Sequence, residues 1–187
     1  MKIVLASASP RRRELLSLIT EDFTVCPADA DETMHENVPL GEEVTRLSRL
    51  KAEAVQARYP DAVCIGSDTM VTIDGLRLGK PKDADEAASM LRRLRGRTHE
   101  VLTGLAVLSP DGQTHTLHTR TRVTFRDFAE DELAAYLATG EPLDKAGAYG
   151  IQGHGALLIE GIEGDYYSVM GLPVAPLYTI LREIRAI

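Results

Sequence analysis

The chain has 187 residues, with 21 Lys and Arg against 28 Asp and Glu, which gives a net charge of −7. That balance argues against general binding to duplex nucleic acid, whose affinity rests on many cationic contacts to phosphates. Only 5% of the residues are aromatic and Trp is absent, so platforms for stacking single-stranded bases are poorly supplied as well. A small anionic ligand is not excluded, because local charge decides its binding and total charge does not.

The N-terminal stretch predicts a strand followed by a helix that begins with positive charge. Residues 2–7 are typical of a buried strand, and Ser9 and Pro10 suit the cap and the first turn of a helix. Arginines occupy positions 11–13, where they oppose the helix dipole unless an anion binds there. The pattern fits either an anion site or a helix start whose arginines face water.

The later elements follow from hydrophobic periodicity and turn residues. Up to residue 94 they are a strand over 23–26, an acidic loop over 28–39, a helix over 41–59, a strand from Asp61 that breaks near Asp68, a hairpin turning at Asp74-Gly75, and a helix from Asp83 to Leu94. Beyond residue 94 the predicted elements are strands near 98–109 and 113–125, a helix over 127–138, a glycine-rich loop over 141–155, strand and turn over 156–173, and a helix over 174–184. We therefore expect one α/β domain over residues 1–187, with a mixed sheet rather than a purely parallel one.

The carboxylate of Asp68 is the first candidate for chemistry. It follows the apolar run AVCIG, so we expect it at a strand end, as a metal ligand, a general base or a structural turn residue. Glu32 lies in the acidic loop and could join it at a metal. Together with the basic helix start and the lysines at 51, 80 and 145, these carboxylates fit a metal-bridged phosphate ester, in which cations neutralise oxygens and an aspartate activates water.

The two cysteines, Cys26 and Cys64, lie in apolar runs and are expected to be buried, reduced thiols. The sequence has no Cys-x-x-Cys and no zinc-like histidine spacing. We see no signal peptide and no apolar run of membrane-spanning length, and therefore expect a cytoplasmic protein without a membrane partner.

Six blocks follow one another between residues 5 and 173, namely LASASPRRRELL, IGSDTMV, GKP, LTGLAV, LDKAGAYGIQG and GDYYSVMGLP. Together they resemble the Maf family of nucleoside triphosphate pyrophosphatases, and the resemblance runs from residue 3 to about residue 182. The resemblance implies an elongated α/β sheet with flanking helices and two lobes around a central cleft, similar to the inosine triphosphate pyrophosphatases. Two positions depart from the family pattern, with Ser67 where Ala is common and Ser168 where Asn often stands.

The resemblance also implies an activity, namely hydrolysis of a nucleoside triphosphate between its α and β phosphates with a divalent metal such as Mg²⁺, Mn²⁺ or Co²⁺. It places the catalytic carboxylate on Asp68. The substrate-binding residues that it implies are Ser7, Arg12, Lys51 and Lys80. The metal ligands would be Asp68 and Glu32, with Asp29 and Asp31 as rivals to Glu32 in the acidic loop.

Three further positions bear on the choice of base. Arg11, Thr69 and Gln152 resemble the set found in the dTTP/UTP branch of the family. The amide of Gln152 offers one donor and one acceptor, which match the O4 acceptor and the N3–H donor of uracil or thymine. Arg13 is expected to be a solvated helix residue.

Several alternatives stay open on the sequence alone. The same chemistry could act on 7-methyl-GTP, modified pyrimidine or inosine triphosphates, and a non-catalytic, nucleotide-sensing regulator of cell division belongs to a different class. The identity and number of the metal ions are undetermined, and a homodimer is neither required nor excluded.

Overall fold

The structure is a computed structural model that describes residues 1–35 and 37–187. In these residues the helices are α1 Pro10–Ser17, α2 Leu40–Gln56, α3 Ala84–Leu94, α4 Glu130–Ala138, α5 Tyr166–Met170 and α6 Val174–Glu183. The strands are β1 Ile3–Leu5, β2 Thr24–Val25, β3 Val63–Ile73, β4 Leu76–Leu78, β5 Thr98–Leu108, β6 Thr114–Phe125 and β7 Ile159–Glu163. Short 3-10 turns cover Glu141–Asp144, Ala146–Ala148 and Gly153–Leu158. Among the helices described, none has the length and apolar character to cross a membrane.

The seven strands form a mixed sheet. Neighbouring strands follow the order β2-β1-β3-β5-β6-β7, and β4 pairs with β3. Strand β1 runs parallel to both β2 and β3, whereas β4 is antiparallel to β3 and β7 is antiparallel to β6. The predicted α/β class, with a mixed sheet and flanking helices, is confirmed.

The chain divides into two compact units, each with its own apolar cluster. Unit 1 consists of Met1–Thr69, Leu102–Thr119 and Gly171–Ile187, and unit 2 of Met70–Val101 and Arg120–Met170. The cluster of unit 1 includes Val4, Val55, Cys64 and Leu108. The cluster of unit 2 includes Leu91, Phe125, Leu133 and Tyr149.

Helix α2 lies very close to the backbone of β3 and β5 within unit 1. A Cβ added at Gly66 would lie 2.0 Å from the carbonyl oxygen of Ser48, and one at Gly104 would lie 2.2 Å from that of Val44. Any side chain at these two glycines would therefore push the helix away from the sheet. The close approach matters for function because α2 carries Lys51 and β3 carries Asp68.

The predicted break near Asp68 is wrong, because β3 continues from Val63 through Ile73 and Asp68 lies in mid-strand. Polar side chains usually mark the end of a buried strand, but here each has a partner inside the protein. Ser67 Oγ lies 2.7 Å from the carbonyl oxygen of Gly104, and Asp68 pairs with Lys51.

Two predictions in the last third of the chain also need correction. Helix α4 begins at Glu130 rather than at residue 127, and the carboxylate of Glu132 accepts a hydrogen bond from the backbone N–H of Ala129 at its start. The sequence predicts strand and turn over residues 156–173, where the structure has strand β7 followed by helix α5. It forms because the Asp165 carboxylate accepts hydrogen bonds from the backbone N–H groups of Tyr167 and Ser168, as an N-terminal cap does.

The hairpin at Asp74-Gly75 is confirmed. Ile73 pairs with Leu76, which leaves two residues in the turn, and their φ angles are 52° and 76°. Two successive left-handed residues are what a tight hairpin turn requires, and the Asp-Gly pair supplies them at low strain.

Candidate active site

A buried lysine joins two of the predicted carboxylates in unit 1. Lys51 Nζ lies 2.6 Å from Asp68 Oδ1 and 2.9 Å from Glu32 Oε2. The side chains of Lys51 and Asp68 are only 9% and 13% exposed, whereas that of Glu32 is 55% exposed. Because little water screens the pair of Lys51 and Asp68, its charges interact more strongly than those of a surface salt bridge.

The acidic loop is attached to α2 by a buried glutamate. Glu43 accepts hydrogen bonds from Arg46 Nε at 2.9 Å and from the backbone N–H of His35 at 2.7 Å. Hydrogen bonds from Arg46 outweigh burial and lower the pKa of Glu43 to about 2. Arg46 also donates to the carbonyl oxygen of Thr33 at 2.9 Å. The helix that carries Lys51 therefore also fixes the loop segment next to Glu32.

Among the acidic-loop carboxylates, Glu32 is the one that the structure places against Lys51. Asp31 Oδ1 instead accepts hydrogen bonds from the backbone and the hydroxyl of Thr33, at 2.9 and 2.5 Å. The hydroxyl bond is the main cause of a lowered pKa at Asp31. Asp29 is exposed. These contacts favour Glu32 over its two rivals.

Arg12 is held in place by neutral oxygens. Its Nε donates to the carbonyl oxygen of Gly171 at 2.8 Å, and its Nη2 to Thr69 Oγ1 at 3.3 Å. Desolvation lowers the pKa of the half-buried guanidinium, and the charge of Asp68 partly opposes that effect. A cation with neutral hydrogen-bond partners keeps its full charge, so this arrangement suits a phosphate group.

Three residues around Arg12 have no role assigned from the sequence, namely Ser67, Thr103 and Gly171. Thr69 Oγ1 lies 3.1 Å from Thr103 Oγ1, and Ser67 Oγ lies 2.9 Å from the carbonyl oxygen of Gly171 that Arg12 also contacts. The signal in the sequence that points to such contacts is the run S-D-T in a buried strand, because buried hydroxyls need hydrogen-bond partners. Sequence alone did not show which distant residues supply them.

The start of α1 has the predicted capping pattern. Ser9 Oγ accepts a hydrogen bond from the backbone N–H of Arg12, and the buried Ser7 Oγ accepts one from the N–H of Ser9. Arg11 is half-buried, whereas Arg13 is exposed, as expected for a solvated helix residue.

The remaining candidates lie in unit 2. Lys80 is exposed and follows β4, and Gln152 directly precedes the 3-10 turn Gly153–Leu158. The Oε1 atom of Gln152 is buried, and it has no hydrogen-bond partner within residues 1–35 and 37–187. Lys145 Nζ, by contrast, donates to the Glu141 carbonyl oxygen at 2.7 Å and pairs with the Asp144 carboxylate at 2.6 Å.

The chemistry of Asp68 and Glu32 fits a divalent metal. Carboxylate oxygens are the ligands that Mg²⁺ prefers, and Mg²⁺ in phosphate-processing sites uses one or two of them together with water and substrate phosphates. The two carboxylates already converge on the single ammonium group of Lys51. In the described part of the chain, no group of three or more His, Cys, Asp or Glu side chains forms a metal-binding cluster. An Mg²⁺ ion held by two carboxylates takes its other ligands from substrate phosphates and water.

Both cysteines are buried and unpaired, which confirms the prediction of reduced thiols. Burial raises the pKa of Cys64 to about 11. A thiol with so high a pKa is a poor nucleophile at neutral pH, so Cys64 belongs to the core rather than to the chemistry.

Comparison with known proteins decides the family. The family described as Maf-like protein matches residues 2–184. This chain belongs to the Maf family. The curated relatives of this Maf protein include a dTTP/UTP pyrophosphatase of Moorella thermoacetica, 52% identical over 181 residues that make up 96% of this chain and 93% of that protein. Another is a dTTP/UTP pyrophosphatase of Bacillus velezensis, 50% identical, with 98% of this chain and 97% of that protein covered. Among solved structures, a HAM1 protein from Coxiella burnetii aligns over 98% of this chain and 99% of its own, with 14% identity and a TM-score of 0.48.

Proposed function

We propose that this Maf protein hydrolyses dTTP and UTP between the α and β phosphates, in the cytoplasm, and releases the nucleoside monophosphate and pyrophosphate. The observation that carries the proposal is the contact of the buried Lys51 with both Asp68 and Glu32. Curated relatives that are about half identical over nearly the whole chain bear the name dTTP/UTP pyrophosphatase, which supports the same substrates here.

The triphosphate would bind through the start of α1 and the basic residues. Backbone N–H groups at a helix start, together with the dipole, attract phosphate. Arg12 adds a positive charge that Gly171 and Thr69 hold in a fixed orientation. Ser7 and Lys80 are the further phosphate contacts that we propose.

Asp68 would act as the general base. It accepts a proton from a water molecule whose oxygen bonds to the α-phosphorus, while the bond from that phosphorus to the bridging oxygen breaks and pyrophosphate leaves. The ammonium of Lys51, 2.6 Å from Asp68 Oδ1, orients the carboxylate. It also contributes positive charge where negative charge develops on the phosphates.

Asp68 and Glu32 are the residues that would hold a divalent metal. Such an ion, when bound, neutralises charge on phosphate oxygens and polarises the phosphorus. Glu43 and Arg46 support this role indirectly, because they fix residues 33–35 of the loop on α2.

Base recognition is assigned to Gln152, with Arg11 and Thr69 as the other specificity residues. A buried carbonyl oxygen without a partner is unfavourable by about 1–3 kcal/mol. The N3–H group of uracil or thymine would supply the partner that Gln152 Oε1 lacks.

A substrate panel tests the proposal. Pyrophosphate release is measured for dTTP, UTP, CTP, ITP, 7-methyl-GTP and a modified pyrimidine triphosphate, each with Mg²⁺, Mn²⁺ and Co²⁺. We expect dTTP and UTP to give the highest kcat/KM, and no turnover after chelation of the metal. Preference for a purine would contradict the role of Gln152. Tight nucleotide binding without hydrolysis under any metal would favour the regulatory sensor instead.

A further inference from the structure

The loop that carries Gln152 is fixed at both of its ends within unit 2. The loop runs from Gly150 to Gly155, and its two ends touch. A Cβ added at Gly155 would lie 2.1 Å from the Gly150 carbonyl oxygen, so only glycine permits this approach. Ile151, the residue before Gln152, is 8% exposed and anchors the loop through its apolar side chain.

A tyrosine of α4 fixes the first end. Tyr136 is 3% exposed, and its hydroxyl oxygen accepts a hydrogen bond from the Gly150 N–H at 3.1 Å. The same oxygen lies 3.0 Å from the position of a Cβ on Gly155. Tyr136 therefore fits against the point where the two ends of the loop meet.

A carboxylate fixes the second end. Glu141 accepts hydrogen bonds from His154 at two atoms, the backbone N–H at 3.1 Å and the ring Nδ1 at 2.7 Å, and it lies 3.4 Å from the Gly155 nitrogen. Gly153 has a φ of 75°, and a Cβ there would lie 2.8 Å from Glu141 Oε1. The carboxylate thus occupies the space beside the residue that directly follows Gln152.

We propose that Tyr136 and Glu141 are positioning residues for base recognition, and that they act by holding the backbone on either side of Gln152. This inference rests on the base recognition assigned to Gln152 in the proposed function. Neither residue needs to touch the nucleotide, since both act through the backbone of the loop.

Positioning of Gln152 matters because the two ends of its amide group have nearly the same shape. A uracil edge presents an acceptor at O4 and a donor at N3, whereas a cytosine edge presents a donor at N4 and an acceptor at N3. An amide that rotates by 180° exchanges its donor and its acceptor and so matches either base. Discrimination between them therefore requires one of the two amide orientations to be favoured, and the position in which the loop backbone holds Gln152 decides which polar groups its amide can reach. The other base is then rejected because its polar groups are mismatched.

The test measures the dissociation constants of UMP and CMP by calorimetry, so no turnover is needed. We expect the wild-type protein to bind UMP more tightly, and we expect Glu141→Ala to reduce the ratio of the CMP constant to the UMP constant at least about fivefold. Tyr136→Phe, which keeps the ring and removes the hydroxyl, should reduce the same ratio from the other end of the loop. Glu141→Gln retains one acceptor oxygen and should restore part of the preference.

The matched control is Glu160→Ala, which removes an exposed carboxylate of β7 and should leave the ratio unchanged. A purely structural role would lower the melting temperature of a variant and weaken both nucleotides equally. The inference is overturned if Glu141→Ala and Tyr136→Phe both keep the ratio within about twofold of wild type. It is also overturned if the wild-type protein itself does not distinguish UMP from CMP. Absence of pyrophosphate release by the wild-type protein would instead contradict the proposed hydrolysis, and these binding ratios would still decide the positioning role.

Discussion

Lys51 Nζ lies 2.6 Å from Asp68 Oδ1, and both side chains are almost fully removed from water. The contact joins helix α2 to strand β3 at the point where Gly66 and Gly104 let the helix approach the sheet. One ion pair thus links the packing of unit 1 to its proposed chemistry.

Replacing Lys51 with Met should destabilise the protein and remove its activity. Asp68 would keep a largely buried negative charge without its cation, which lowers the free energy of unfolding by about 3 kcal/mol. Urea unfolding and pyrophosphate release measure the two effects. Lys82→Met, at an exposed lysine, is the control and should change neither. Equal behaviour of the two variants would contradict a special role for Lys51.

Removal of the Ser67 hydroxyl should affect substrate binding more than turnover. Ser67 Oγ and Arg12 Nε both contact the carbonyl oxygen of Gly171, so Ser67→Ala loosens the group that orients Arg12. We expect a KM raised several-fold at nearly constant kcat, and an unfolding free energy lower by about 1 kcal/mol. Steady-state kinetics for UTP test this expectation, with Ser17→Ala, a hydroxyl that bonds within its own helix, as the control. An unchanged KM would show that the Ser67 hydroxyl does not affect how Arg12 is oriented for substrate binding.

The ion pair between the buried Glu43 and the partly exposed Arg46 can be compared with an exposed pair on the same helix. Glu43→Gln should lower the free energy of unfolding by about 2–3 kcal/mol, because Glu43 is fully buried and accepts charge-assisted hydrogen bonds. It should also raise the Mg²⁺ concentration for half-maximal activity, since the loop next to Glu32 loses its anchor. Glu53→Gln, whose partner Arg49 is 57% exposed, should cost less than about 0.5 kcal/mol. Similar losses from both variants would contradict this difference.

His99 should make stability depend on pH. Burial lowers the pKa of His99 to about 4, whereas an unperturbed imidazole has a pKa of about 6.5. Between these values the unfolded chain binds a proton that the folded chain does not, so stability falls as the pH decreases through this window, by up to about 3 kcal/mol.

His99→Gln should remove that part of the loss. The free energy of unfolding, measured at pH 7 and pH 4.5, is compared with that of wild type, and His118→Gln at an exposed position is the control. An identical pH dependence in wild type and His99→Gln would show that His99 binds a proton as readily in the folded chain as in the unfolded chain, which contradicts the lowered pKa.

Much of the fold follows from local signals in the sequence. The cap at Ser9, the Asp74-Gly75 turn and the periodic helix now seen as α2 are each specified by a few neighbouring residues. The break near Asp68 was predicted wrongly because polar side chains in a buried strand need partners that lie far away in sequence. Lys51 is 17 residues from Asp68, and Gly171 is 104 residues from Ser67.

The site was predictable as a set of residue types but not as a geometry. The sequence and its resemblance to the Maf family predict Asp68, Lys51 and Glu32 as site residues, with Asp29 and Asp31 as rivals to Glu32 in the acidic loop. What distinguishes Glu32 is its contact with Lys51, together with the hydrogen bonds that engage Asp31 with Thr33. These contacts depend on how the acidic loop packs on α2, and no local pattern encodes that packing.

The most direct test of the central claim is the rate of pyrophosphate release from dTTP by Asp68→Asn, with circular dichroism to verify the fold. Asp61→Asn, an exposed aspartate just before β3, is the matched control. If Asp68 is the general base, kcat/KM falls at least about 100-fold in Asp68→Asn and stays at the wild-type value in Asp61→Asn. Near-normal turnover by a folded Asp68→Asn protein would contradict the proposed mechanism.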